Sequence, residues 1–314
     1  MKEVNYLEIF KKSLQATWRK KLLWFFGFFI LIGSGGNGFV FNWKPSETFT
    51  PGNILEGLVA NKLLLSISIL LILVLMIALT ALKIIGQAAI IIFSGYINPN
   101  KEIGFSALFK KGKHFLWKLL LLDVLFAFSL LILLVTLSLP VVFLVFVKSN
   151  LLALFIGISA LLILIPVYVL AYFIKRFSYI YIVLSDLDIK SSIENSYIIF
   201  KDNILRCLIF SMLLIGSGII LGLFLISLMV VIGMPLILLG LALSFVFSKI
   251  GLYFSLGAGL LLVGTIFLLS QSAFEAFRQI AWTFFFKELA GMKIEKAEMV
   301  ASPVAEEMPK PEQA

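Results

Sequence analysis

From Leu63 to Leu82 the chain runs without a charged residue, and it does so again over Leu151–Ile174, Cys207–Ser248 and Leu252–Phe274. Runs of about 20 apolar residues match the roughly 30 Å hydrocarbon thickness of a bilayer. Inside hydrocarbon each backbone N–H and C=O must be satisfied within the segment, which selects the α-helix. The chain is therefore read as all-α, a polytopic transmembrane helical bundle. Composition points the same way. Of 314 residues, 61% are hydrophobic and 14% charged, against about 25% charged in soluble domains, so polar surface is too scarce to cover a water-facing globule.

Six spans are expected. The first covers about 22–41 and ends in Gly33-Ser34-Gly35-Gly36-Asn37-Gly38. This glycine cluster lacks the Lys-Ser/Thr ending of a phosphate loop and is read as loosening the outer end of the helix or letting a neighbour approach closely. A polar loop at 42–62 leads to the second span, 63–82, whose apolar character continues to Ile97. The third span covers about 119–147, with a kink expected at Pro140. Lys148-Ser149-Asn150 is a tight turn into the fourth, 151–174. The stretch 207–248 is too long for one simple span, so the fifth is placed at 207–231. Gly233-Met234-Pro235 is expected to break it, leaving 233–248 dipping into or lying on the membrane. The sixth covers 252–274 and continues helically to Leu289. Residues 1–292 then form a single membrane-embedded domain, and 293–314, rich in Glu, Pro and Ala, a disordered cytoplasmic tail. A cleaved signal peptide is disfavoured, because the leading polar segment is long and no A-x-A site follows it.

Basic residues orient the bundle. With six spans, 21 of the 26 Lys and Arg fall on the side of both termini, and only Lys44, Lys62, Lys148 and Lys249 fall opposite. Splitting 207–248 into a hairpin to make seven spans changes the division to 17 against 8. The positive-inside rule favours six, with N- and C-termini cytoplasmic in the cell membrane. The net charge of +9 is accordingly assigned to topology and to anionic lipid headgroups at the cytoplasmic face. Nucleic acid is excluded as a partner, since no basic stretch forms a binding module. A membrane-protein partner or a second copy of the chain fits the small-residue pairs Ala153/Gly157, Gly218/Gly222 and Ser255/Gly259, which permit close helix crossings.

A repeat organises the chain. Three basic, amphipathic stretches each precede an outgoing and a returning span: Ser13-Leu14 to Leu22-Leu23, Ala107-Leu108 to Leu116-Trp117, and Ser192-Ile193 to Ile204-Leu205. In the first, Leu7, Phe10, Leu14 and Trp18 form an apolar stripe; in the third, Ile189, Ile193, Tyr197, Phe200 and Ile204 do. Such helices can lie in the headgroup plane as cytoplasmic elbows, and the fold becomes three hairpins around a shared centre.

The segment Ser13-Leu14-Gln15-Ala16-Thr17-Trp18-Arg19-Lys20-Lys21-Leu22-Leu23-Trp24-Phe25-Phe26-Gly27 resembles the opening of uncharacterised bacterial six-span integral membrane proteins. Tyr181-Ile182-Val183-Leu184 followed by Ser192-Ile193-Glu194-Asn195-Ser196-Tyr197 resembles their middle. Phe277–Leu289, containing Trp282-Thr283 and Phe286-Lys287-Glu288-Leu289, resembles their final helix. The group is similar to the membrane domain attached to some glycerophosphodiester phosphodiesterases. The resemblance implies a bacterial inner-membrane protein with no catalytic residues of its own. No segment here is polar enough to be the soluble phosphodiesterase domain.

Chemistry is sparse. His114 is the only histidine and lies in the basic stretch Lys110-Lys111-Gly112-Lys113-His114. It has no acidic partner nearby to orient it as a base. Cys207, the only cysteine, lies in an apolar run, so neither a disulfide nor a thiolate metal site is expected. No cofactor is implied. The candidate polar residues of the spans are Lys83, Asp123, Gln271, Glu275 and Arg278. The four charged ones are placed near cytoplasmic helix ends, where long side chains can snorkel, Glu275 and Arg278 can pair at i,i+3, and Gln271 lies one turn further into the bilayer. The leading expectation is a non-enzymatic membrane protein acting through lipid or protein partners. A transporter using Glu275, Arg278, Asp123, Gln87 and Gln271 as a polar path is the alternative, and a lipid-modifying enzyme the second.

Overall fold

A computed structural model describes residues 4–35, 62–95, 104–247 and 249–291. The described residues form nine α-helices and no strand. In chain order they are α1 Tyr6–Arg19, α2 Leu22–Gly33, α3 Lys62–Gly95, α4 Phe105–His114, α5 Leu116–Phe146, α6 Asn150–Ser185, α7 Ile189–Asp202, α8 Ile204–Phe247 and α9 Lys249–Leu289.

Local chemistry explains the boundaries. Asn5 Oδ1 accepts the Glu8 N–H at 3.1 Å and starts α1, satisfying one of the donors a helix N-terminus leaves open. Lys148, with φ 57°, and the bond from Ser149 N–H to Leu144 O at 3.0 Å make the tight turn between α5 and α6. Asp186, also left-handed at φ 48°, ends α6, and its carboxylate pairs with Lys118 on α5 at 2.6 Å.

The short helices α1, α4 and α7 each lead into a hairpin: α2–α3, α5–α6 and α8–α9. Each short helix packs on the returning helix of another unit. α4 sits on α3, α7 on α6, and α1 closes the ring on α9. The three returning helices α3, α6 and α9 touch one another at the centre. The core lies at one end of these helices, in Ile84–Ile92 of α3, Phe173–Val183 of α6 and Ala276–Phe286 of α9. Beyond it the hairpins present exposed apolar side chains along most of their length.

Small residues decide how closely the helices approach, as expected where lipid supplies no hydrophobic drive between them. Gly33 and Gly86 place α2 antiparallel on α3, against Leu79/Lys83 and Phe26 respectively. Gly112 brings α4 to 2.8 Å of Ile85 O, measured from the position a Cβ would take. Among the pairs expected to form crossings, Ser255 donates to Leu236 O at 2.6 Å and Gly259 also meets Leu236. Ala153 is buried, Gly157 faces Val141, and Gly218 faces Phe274, whereas Gly222 meets nothing within 4 Å.

One expectation changes. The break at Gly233-Met234-Pro235 does not occur: α8 continues through it to Phe247. Proline removes its own N–H from the ladder and crowds the carbonyl one turn back, but the packing of Ser255, Gly259 and Gly251 of α9 on Leu236 and Leu243 holds 233–247 helical. Pro140 and Pro166 likewise lie inside helices. Among the described residues five helices are long and apolar enough to cross a membrane. α2 has 12 residues, about 18 Å at 1.5 Å per residue, and the remainder of the expected first span beyond Gly35 lies outside the described residues. So do 42–61 of the expected external loop and the tail at 293–314.

Of the apolar stripe of α1, Phe10 alone joins the core, edge-on to Phe210 and Phe277. Leu7, Leu14 and Trp18 are 78, 56 and 67% exposed, and α1 also packs through Ile9, Ser13 and Thr17. The Ser13 and Thr17 hydroxyls donate to Ile9 O and Ser13 O. α7 divides its stripe: Tyr197 is exposed, as is Ile204 at the start of α8, while Phe200 joins Ser192 and Ser196 against α6.

Candidate functional site

Ionisable side chains from four helices converge where the central core meets the exposed apolar lengths. Lys83 comes from α3, Asp123 from α5, Lys175, Arg176 and Tyr179 from α6, and Glu275 and Arg278 from α9. The depth is set by neighbouring glycines. Gly33, at the end of α2, abuts Lys83, and Gly27 abuts Ser272 and Ala276 on either side of Glu275.

Each carboxylate is taken by one cation. Asp123 Oδ1 lies 2.8 Å from Lys175 Nζ, and Glu275 Oε2 accepts from Arg278 at 2.6 Å. In both pairs the carboxylate is the more buried partner, at 17 and 14% exposure against 37 and 39%. Two further cations are left over. Lys83 is half-buried, with Asp123, Lys175, Arg176 and Glu275 all within electrostatic reach. The Arg176 guanidinium sits 5.8 Å from the centroid of the Trp282 ring, within the roughly 6 Å range of a cation–π contact. Among the described residues neither has a carboxylate bonded to it. Arg176 Nε is buried and lacks a hydrogen-bond acceptor, while the buried Tyr179 hydroxyl lies beside the Asp123 carboxylate.

Four of the five expected polar residues, Lys83, Asp123, Glu275 and Arg278, thus meet in one cluster. Gln271 lies one turn further along α9, half-buried, and makes no hydrogen bond to it. Lys175 and Arg176 were not expected here, because the fourth span was ended at Ile174 and both were assigned to the following polar interval. The signal was present in the sequence. The apolar run Tyr179-Ile180-Tyr181-Ile182-Val183-Leu184 follows with no Gly or Pro between, so the helix had no reason to stop before the two charges. Lys287 was missed similarly. It is buried, and its Nζ donates to Gly95 O at 2.8 Å, neutralising the open carbonyl end of α3.

The arrangement suits binding better than bond-breaking. The cluster carries an excess of donors, and both of its carboxylates are occupied by cations. His114 lies apart, exposed at the end of α4 with its ring against Phe115, and Cys207 is buried in α8. Among the described residues no group of three His, Cys, Asp or Glu side chains could hold a metal ion. Along the spans the hydroxyls turn inward on their own helices. Ser66, Thr80, Thr136, Ser159, Ser227 and Thr265 each donate to a carbonyl three or four residues back.

Compared with protein-family models, curated proteins and solved structures, the chain matches none.

Proposed function

We propose that this chain is a six-span, non-enzymatic protein of the bacterial inner membrane, with both termini cytoplasmic, that acts by holding inner-leaflet lipid and membrane-embedded partners. The observation that carries the reading is the one-sidedness of the molecule. Its packed core, its ionic cluster and its three short helices lie at one end of the hairpins, and the rest of each hairpin offers apolar side chains outward. The exposed Leu7, Leu14 and Trp18 of α1, with Lys11 and Lys12 also exposed on that helix, suit a helix resting in anionic headgroups. The charge asymmetry and the resemblance to six-span bacterial membrane proteins support the orientation.

Reporter fusions test the topology. Fusions after Asn150 and Lys249 are expected to read as external, and fusions after Asn100, Lys190 and Ala314 as cytoplasmic. An external C-terminus overturns the six-span arrangement and restores the seven-span one.

The half-buried carboxylates Asp123 and Glu275 favour a second reading, an ion-coupled transporter. Against it, Ser66, Thr80, Thr136, Ser159, Ser227 and Thr265 of the spans are each bonded to their own helix. Glu275→Gln is therefore expected to leave the fold intact. The lost pair is worth about 0.2–1 kcal/mol where it reaches solvent, and Arg278 can still extend to the headgroups. The check is the thermal stability of both proteins together with proton- or sodium-dependent uptake in liposomes. Coupled uptake by the wild type that disappears in a folded Glu275→Gln variant establishes the transporter.

A further inference from the structure

We propose that Lys83 and Arg176 form a binding site for one phosphate-bearing anion, the headgroup of an anionic phospholipid or a free phosphate. The proposal deepens the lipid-holding reading and rests on it.

The cluster is unbalanced in charge and in hydrogen bonding, and both imbalances point to the same ligand. Asp123 and Glu275 are consumed by Lys175 and Arg278, so Lys83 and Arg176 remain as uncompensated cations within reach of each other. A charge removed from water is retained where something neutralises it, and no other carboxylate is bonded to either among the described residues. Arg176 Nε is a buried donor without an acceptor, so its missing partner is an acceptor, whereas the Tyr179 hydroxyl has the Asp123 carboxylate beside it. A phosphate monoester or diester supplies several acceptor oxygens and negative charge at once. The planar guanidinium fork matches it in geometry, and an ammonium adds a point charge. Stacking on Trp282 and burial of its neighbours set the Arg176 plane before any ligand arrives.

The site has an opening at the right depth. Tyr172, one turn before Arg176 on the same face of α6, is 43% exposed, and Lys175 and Arg278 are also partly exposed. Tyrosine and basic side chains together mark the headgroup level of a bilayer.

The test uses the full chain, purified and delipidated in detergent, with phosphatidylglycerol, phosphatidylcholine or inorganic phosphate added separately. Binding is read by native mass spectrometry and by thermal shift. One phosphatidylglycerol is expected to be retained in preference to phosphatidylcholine. Arg176→Gln and Lys83→Gln are each expected to weaken it by at least about tenfold, the scale of one charge-assisted hydrogen bond. Saturable binding of inorganic phosphate with the same dependence on Arg176 supports the site with a free anion as its source. Arg176→Met guards against a merely structural role. It removes the uncompensated charge at similar volume, so the lipid-free protein should be at least as stable as wild type while losing its response to phosphatidylglycerol. Wild-type affinity in the folded Arg176→Met or Lys83→Gln protein overturns the site. The double variant Lys110→Gln/Lys111→Gln, on α4, separates the two levels of the reading. If it loses anionic lipid while the cluster variants keep it, the site fails and the lipid-holding reading stands. If no variant and not even the wild type distinguishes phosphatidylglycerol from phosphatidylcholine, both fail.

Discussion

Gly27→Ala is expected to unseat α2 from the bundle. A methyl group at this position would collide with the carbonyl oxygen of Ser272, lie 2.9 Å from its carbon and 3.2 Å from Ala276 N. All three are backbone atoms of α9, so no side chain can rotate away, and either α2 or the centre of the bundle must move. Overpacking of a close-packed interior costs about 1–3 kcal/mol and occasionally more, and a rigid neighbour places this substitution at the upper end. The consequences spread because α2 also lies against α3 through Gly33 and Gly86, and Phe26 stacks on Phe105 of α4 at 4.9 Å. Thermal unfolding in detergent micelles provides the measurement, with a clear fall in midpoint and in the yield of folded monodisperse protein. An alanine variant with wild-type stability contradicts the contact between α2 and α9. Gly222→Ala is the control, since nothing lies within 4 Å of that position, and it should be neutral or mildly stabilising.

Trp282→Ala carries the second large effect. The indole is 1% exposed and is surrounded by rings from three helices. Phe210 of α8 stands at 5.0 Å, Phe173 and Phe177 of α6 at 5.8 and 6.2 Å, and Phe285 of α9 at 5.8 Å, most of them edge-to-face. Aromatic pairs of this geometry contribute beyond their buried area. Truncating a core Trp costs about 3–5 kcal/mol because the surroundings collapse only in part. Trp282 also carries Arg176 against its face, so its loss should loosen the ionic cluster as well as the core. Reversible unfolding in mixed micelles measures the cost. Trp282→Phe keeps the ring stacking and is expected to lose less than half as much. Equal losses in the two variants would show that volume alone matters here and that ring geometry does not.

These two residues mark where sequence reading reached and where it stopped. Phe277–Leu289 was read as a continuation of the last span, and α9 does run to Leu289. That Trp282 would be the hub of the core was not legible, because α9 is apolar on almost every side over its outer length and no periodicity singles out one face. The stripe of α1 shows the same difficulty in reverse. Leu7, Leu14 and Trp18 are periodic and conspicuous, yet the residues this helix buries where it packs on α9 include Ser13 and Thr17, which a hydrophobic pattern passes over. In water the apolar face of a helix is the packing face; against lipid the two can separate. The break expected at Pro235 failed for a related reason. A proline and a glycine are local signals, whereas the contacts of Ser255 and Gly259 with Leu236 come from nineteen or more positions away in the chain.

The ionic cluster was half legible. Lys83, Asp123, Glu275 and Arg278 stood out as charges in or beside apolar runs, and the i,i+3 spacing of the last two was enough to anticipate their pair. Lys175 and Arg176 were hidden by the assumption that a helix ends where its hydrocarbon span ends. α6 instead runs a further eleven residues past Ile174 to Ser185, long enough to carry both charges and Tyr179 into the centre.

By itself the sequence determined the solvent, the helical class, the approximate positions of the long apolar helices and the order of short helix, outgoing helix and returning helix. Each of these follows from per-residue transfer energies and from the need to satisfy backbone groups locally, and both can be read along the chain. Only the tertiary structure decided that the returning helices α3, α6 and α9 form the centre, that each short helix docks on another unit's returning helix, and which charges find partners. Those outcomes depend on close approach at Gly27, Gly33 and Gly112, on hydroxyl contacts such as Ser178 to Ser196 at 3.1 Å, and on ring packing around Trp282. Such contacts join residues remote in sequence and leave no periodic mark on it.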